Sequence, residues 1–264
     1  MTEIQKRDTF RILRFSGDEN ASFLQGQLTQ DVRRLGDEPA LLAASCDARG
    51  KVIAVLTLIA CPDGSGDILV AVRDALSDSW LEQVMRFRLR AKVDAKHDDS
   101  LTITTASQAA TGGALAHWQL SGSNEALVRT TTHTAATALR EQRLRAGIVD
   151  IAAHASVSYT PHMLSLNRVD AISFRKGCYT GQEVVARTEH LGRAKRTLQV
   201  FESTTVHTDD EPASLMQGDK PASAIVATAD QTIGAIMSLD AAQQTLTDAD
   251  GQPVRWLGVR EETD

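Results

Sequence analysis

Cys46, Cys61 and Cys178 are the soft nucleophiles of this chain, and only Cys178 has a sequence setting that could activate a thiol. It lies in Ser173-Phe174-Arg175-Lys176-Gly177-Cys178-Tyr179-Thr180-Gly181-Gln182-Glu183, ahead of the apolar run Val184-Val185-Ala186. Thr180 followed by Glu183 forms the Thr-x-x-Glu pattern of a capping box, which predicts a helix beginning at about Gly181. Gly177 can take positive φ, so a tight turn is expected to present Lys176, Cys178 and Tyr179. A helix start and the cations Arg175 and Lys176 all favour thiolate over thiol. Two readings remain open: a reactive cysteine, or a small buried hydrophobe beside an ordinary helix cap. None of the three cysteines forms a Cys-x-x-Cys pair, and their odd number suits a reducing compartment, so no metal site is expected.

Other polar clusters have ordinary explanations beside functional ones. Arg187, His190, Arg193, Lys195 and Arg196 follow the predicted helix start. They could pair with ligand carboxylates, contact RNA or protein, or simply solvate a helix end. Arg86, Arg88 and Arg90 alternate with Phe87 and Leu89 and are expected to cover the exposed side of a helix. His97, His117, His133, His154 and His207 show no ligand spacing. The chain contains no Gly-x-x-x-x-Gly-Lys-Ser/Thr loop, no Gly-x-Gly-x-x-Gly turn and no His-Glu-x-x-His, which excludes the usual nucleotide, dinucleotide and zincin chemistries.

Lys176 to Glu183 resembles the signature of the YgfZ family of folate-binding proteins, which are themselves similar to the aminomethyltransferase (T protein) of the glycine cleavage system. Phe23-Leu24-Gln25-Gly26-Gln27-Leu28-Thr29 with Asp31, and Cys46-Asp47-Ala48-Arg49-Gly50-Lys51, agree with that resemblance. Val185-Ala186-Arg187 and Gly192 to Arg196 continue it, and it thins beyond Phe201. The resemblance implies an α+β fold of T-protein-like folate-binding modules around a central cleft, with interleaved subdomains over 1–195 and a C-terminal β-barrel over 196–264. It implies tetrahydrofolate, or another reduced folate, as cofactor. It further implies an accessory role in iron–sulfur cluster assembly or repair that supports iron–sulfur enzymes, including tRNA-modifying ones, with those proteins or their assembly factors as partners. In that picture Cys178 is the reactive thiol and Lys176 holds its thiolate. Tyr179, Gln182, Glu183, Arg187, Asn167 and His162 shape the turn or the folate site. Relatives are expected to carry glutamine at His162 and asparagine at Ser165, so the pocket's polar groups differ here. The alternative is a tetrahydrofolate-dependent aminomethyl transferase, although the resemblance to that enzyme is too distant to match its catalytic aspartate to any one residue; a pure docking module is a third reading.

The elements that must position these residues are those of an ordinary globular chain of 264 residues, 42% hydrophobic and 23% charged. Its net charge of −6 argues against broad nucleic-acid binding and leaves any RNA contact local. The longest apolar run, Val52 to Cys61, is too short for a membrane span, and Met1 to Arg11 lacks an apolar core, so a cytoplasmic protein is expected. Strands are predicted at Thr9–Phe15, Ala40–Ser45, Lys51–Ala60, Ile68–Val72, Ala91–Asp94, Ser100–Thr105 and His117–Leu120. Helices are predicted from Asp18 to Leu35, Asp74 to Leu89 and Ala135 to Ala146, with loops around Thr130–Thr134 and across the polar stretch from Ser203 to Ala222, which carries Asp209–Pro212. Strands at Leu198–Phe201, Ala224–Thr228, Ile233–Leu239 and Val254–Val259 read as a small barrel or sandwich.

Overall fold

The computed structural model describes residues 9–109, 113–130, 136–192, 194–208 and 212–258. His133, Arg193 and the acidic stretch 209–211 therefore lie outside the described residues. β1 (Phe10–Ser16) leads into α1 (Asn20–Gln25), a 3-10 turn (Val32–Gly36), β2 (Ala40–Cys46), β3 (Val52–Ala60), β4 (Ile68–Arg73), α2 (Asp74–Met85) and β5 (Asp94–His97). The strands form an antiparallel sheet in the order β2-β3-β4-β1-β5.

Both faces of this sheet are covered, which explains why β2, β3 and β4 read as continuous apolar runs without alternation. Phe15 packs with Trp80 of α2 and with Phe23 of α1 on one face. On the other face Phe10, Ile12, Leu69 and Ala71 meet Leu101, Ile103, Trp118 and Leu127. Those last residues belong to a second sheet, ordered β6-β8-β7, of β6 (Leu101–Thr105), β7 (Ala116–Leu120) and β8 (Ser123–Arg129); the short α3 (Ala106–Ala109) follows β6. β8 is absent from the sequence-based prediction because Asn124 and Glu125 interrupt its apolar pattern. Glu125 is fully buried and accepts the Trp118 indole N–H at 3.2 Å, while Arg143 lies 3.6 Å away.

α4 (Ala136–Arg145) then leads through 3-10 turns at Ala153–Ala155 and Leu166–Val169 to α5 (Gln182–Leu191). The remainder is a closed barrel ordered β10-β11-β12-β9-β14-β13, built from β9 (Thr197–Ser203), β10 (Ser214–Gln217), β11 (Lys220–Ala229), β12 (Thr232–Met237), β13 (Leu246–Thr247) and β14 (Pro253–Trp256), with the short α6 (Leu239–Ala242) after β12. The barrel prediction holds, with β10 found inside the stretch read as a polar loop. Its small core is Phe201, Leu215, Ile233, Ala235 and Met237. Leu198, Val200, Val226 and Ile236 instead join the core of the main body.

The predicted helix from Asp18 to Leu35 is the largest departure. Only Asn20–Gln25 is α-helical and Val32–Gly36 is a separate 3-10 turn, because between them Leu28 bridges to Ser45 and the Thr29 N–H donates to the Ala44 carbonyl at 2.9 Å. Long-range pairing with β2 thus overrides the local helical spacing.

Candidate functional site

Three separate sequence blocks meet at the turn before α5. Lys176 is buried, and its Nζ donates to the carbonyls of Gln25 at 2.6 Å, Leu28 at 2.6 Å and Gln30 at 2.9 Å. Those carbonyls are free to accept because the chain leaves the helix at Gly26. The Ser173 N–H donates to Thr29 O at 2.9 Å and the Thr180 N–H to Gly26 O at 3.3 Å, so the first block lies alongside the signature. The Tyr179 ring lies 5.0 Å from the Lys176 ammonium and is itself buried. Burial pulls Lys176 down to about 8, with Asp31 opposing and Arg33 adding to the shift. Burial also raises the Tyr179 phenol, and Cys46 adds to it.

The second block abuts the same turn from the other side. Gly181 has φ +84°, and a Cβ there would stand 2.5 Å from Asp47 O and 3.1 Å from both Cys46 Cβ and Gly50 Cα. Gly50, at φ +70°, is equally enclosed, since a Cβ would meet Val184 Cβ at 2.8 Å. The Asp47 carboxylate fastens this hairpin by accepting from Arg49 N at 2.9 Å, Lys51 N at 2.8 Å and Arg49 Nε at 3.0 Å. Burial alone would raise its pKa, but the N–H groups of Lys51 and Arg49 outweigh burial and hold it below the ordinary carboxylate value.

This geometry corrects several expectations. The capping box does not form: α5 begins at Gln182, its cap residue is Gly181, and no side chain caps it. Glu183 is 85% exposed and accepts from Arg187 at 2.9 Å, so both residues form a surface pair. Gly177 does not take positive φ; Gly181 does. Lys176 is committed to three carbonyls and acts as a clamp on the turn. Cys178 is exposed, whereas Cys46 is buried and its thiol is pushed up to about 12 by burial and by Asp47. Cys61 is half-buried, and burial raises its thiol as well.

His162 is bonded through Nε2 to Glu189 Oε2 of α5 at 2.8 Å, with the Phe174 ring 6.1 Å away. Asn167 is half-buried on the Leu166–Val169 turn. Of the basic cluster, Arg196 donates to Ala222 O at 3.2 Å, while His190 and Lys195 are exposed. No group of three or more His, Cys, Asp or Glu among the described residues could hold a metal.

A cleft of about 490 Å³ opens where the β7–β8 turn, the end of α4, the Leu166–Val169 turn and the barrel meet. Val169, Leu198, Val200 and Leu257 form its apolar wall; Gln142, Arg145, Ser165 and Arg168 are its polar groups. Gln142 is spent on Ser123 Oγ and Asn124 O, and Arg145 on Glu141 and Glu202. Ser165 is held at φ +56° with its buried Oγ unpartnered among the described residues. Arg168 is exposed at the rim. None of Cys178, Lys176, Tyr179, Gln182, Glu183, Arg187, Asn167 and His162 lines this cleft. Sequence reasoning noted Ser165 only as a departure from relatives and missed Arg168, since neither carries a pattern that marks a cleft.

No family model matches the chain. A tRNA-modifying protein YgfZ from Colwellia psychrerythraea is 30% identical over 223 residues, spanning 72% of this chain and 68% of that protein. The chain belongs to the YgfZ family. The namesake from Klebsiella pneumoniae is 29% identical over 250 residues, covering 80% of this chain and 76% of that one. Among solved structures, the glycine cleavage system aminomethyltransferase T from Bartonella henselae superposes with a TM-score of 0.63 over 97% of this chain and 84% of its own, at 9% identity. At that identity the likeness shows the fold, which is the T-protein-like arrangement expected from the signature. No helix among the described residues is long and apolar enough to cross a membrane.

Proposed function

We propose that this member of the YgfZ family is a tetrahydrofolate-binding accessory protein in iron–sulfur cluster assembly or repair, and that it supports iron–sulfur enzymes including those that modify tRNA. The observation that carries the reading is the cleft between the modules. Its volume of about 490 Å³ lies in the range typical of small-molecule sites. It also offers an unpartnered buried hydroxyl at Ser165. A reduced folate fits this donor set: the apolar wall takes the ring system, Ser165 Oγ bonds a polar ring edge, and Arg168 pairs with glutamate carboxylates at the rim. When bound, the folate supplies a one-carbon carrier. The chain's own residues hold and orient it.

The transferase reading draws on the fold shared with aminomethyltransferase T, but that chemistry needs a carboxylate at the reacting nitrogens. No Asp or Glu is among the described residues lining the cleft, which favours the accessory reading. Calorimetric titration with tetrahydrofolate under reducing conditions is expected to show binding, weakened about tenfold by Arg168→Ala through loss of a charge-assisted pair. Absence of binding at millimolar folate would sink the proposal. Turnover of an aminomethylated lipoyl carrier would replace it with the transferase.

A further inference from the structure

The segment after α2 does not cover a helix face, as its alternation of Arg, Phe and Leu suggests. The helix stops at Met85, and Arg86-Phe87-Arg88-Leu89-Arg90 forms an exposed knuckle running to Lys92. Phe87 is 49% and Leu89 89% exposed. Leu89 is held at φ +44°, a conformation that disfavours any residue with a Cβ. The knuckle is nonetheless built: Arg88 N donates to Met85 O at 3.1 Å, Ala91 N to Arg88 O at 2.7 Å, and Lys92 N to the Glu19 carboxylate at 2.6 Å. Arg86 pairs with Glu82, but the side chains of Arg88, Arg90 and Lys92 have no ion-pair or hydrogen-bond partner among the described residues.

We infer that this knuckle is an RNA-binding element, in which Arg88, Arg90 and Lys92 contact phosphates while Phe87 and Leu89 pack against unpaired bases. Guanidinium groups match phosphate geometry, and an aromatic ring beside them gives a base its stacking surface. Leu89 is placed as an apolar wedge of the kind nucleic-acid-binding proteins insert between bases. Two apolar side chains are too few for a stable protein interface of about 800 Å² per partner, or for a lasting membrane anchor. The protein carries a net charge of −6, so three uncommitted cations on one projecting loop define a local anion-binding feature. The inference is independent of the folate reading, because no knuckle residue lines the cleft.

The test is fluorescence anisotropy of the full chain with a labelled RNA stem-loop at about 50 and about 200 mM salt. The wild type is expected to bind more weakly at the higher salt. Arg88→Gln with Arg90→Gln should lower affinity about tenfold or more and reduce the salt slope by about 2. Leu89→Gly should weaken binding with the slope unchanged and without lowering the melting temperature, since glycine suits that φ. Folate titration of the same variants, with wild-type heat, would show that the cleft is intact. Lack of RNA binding by the wild type, or equal binding by all variants, overturns the inference. Capture by phosphatidylserine vesicles that depends on the same residues, without RNA binding, overturns it in favour of a lipid surface.

Discussion

Two neighbours in the signature, Lys176 and Cys178, divide its work. Lys176 stabilises the turn, whereas Cys178 is presented to solvent by it. Replacing Lys176 with methionine keeps the apolar stem and removes the donor to three carbonyls, those of Leu28 and Gln30 in buried bonds and that of Gln25 in a part-buried one. The expected cost is about 2–4 kcal/mol, read by urea unfolding, because unpaired buried acceptors are expensive. Arginine should not rescue it, since a planar fork cannot direct its donors as the ammonium does. Cys178→Ser should unfold within about 0.5 kcal/mol of the wild type, as an exposed surface change does. In the native state a maleimide should label Cys178 first and leave Cys46 untouched, because the latter is buried with its thiol raised to about 12. Loss of iron–sulfur enzyme activity in cells carrying only Cys178→Ser is the expected functional outcome; full complementation would remove the proposed thiol role.

The element that holds the signature turn is the β2–β3 hairpin closed against the start of α5. Gly181 and Gly50 face each other there because neither can carry a side chain in that space. Gly181→Ala is expected to cost about 2 kcal/mol or more, from positive φ and from the overlap with Asp47 O, and should lower the melting temperature accordingly. Asp47 predicts a pH signature. Its folded carboxyl titrates below the unfolded one, so the stabilisation is complete above the unfolded value of about 3.9 and is lost as pH falls through the folded value. Acid unfolding of Asp47→Asn should lack this part of the acid limb; an unchanged difference from wild type across that window would show that Asp47 is not coupled to folding. The failed capping box belongs to this scale as well. Thr-x-x-Glu is present in the sequence, but the glycine cap and the Glu183–Arg187 pair displace it.

At the scale of the whole molecule, the barrel and the body share a core. Leu198, Val200, Val226 and Ile236 of the barrel pack in the same cluster as Leu144, Ile148 and Val149 of the body. The Ala152 N–H adds a bond to Val226 O at 2.8 Å. The architecture therefore changes where β9 opens the barrel at Thr197, but the core runs on across that point. Unfolding followed separately through Trp80 in α2 and Trp256 in β14, each as the only tryptophan retained, is expected to give coincident transitions. A barrel that melts apart from the body would contradict the shared core.

β1 to β4 of the first sheet, the helix after β4 and the C-terminal barrel were legible from apolar runs and turn residues, because those signals are local. β5 instead lies at Asp94–His97, beyond the predicted Ala91–Asp94, because its own residues are mostly polar and none is buried. The family was legible from eight residues around Cys178, for the same reason. What only the tertiary structure decided depends on residues far apart in the chain. Lys176 reaches carbonyls some 146 to 151 residues earlier, so its role as a clamp has no signal in its own neighbourhood. Gly26 ends a helix that local spacing would extend, because pairing with β2 and the lysine's need for acceptors outweigh propensity. The cleft likewise gathers Gly122, Ser165, Leu198 and Leu257 from four segments. A serine becomes a candidate ligand group only when folding buries its hydroxyl beside empty space and leaves it no partner.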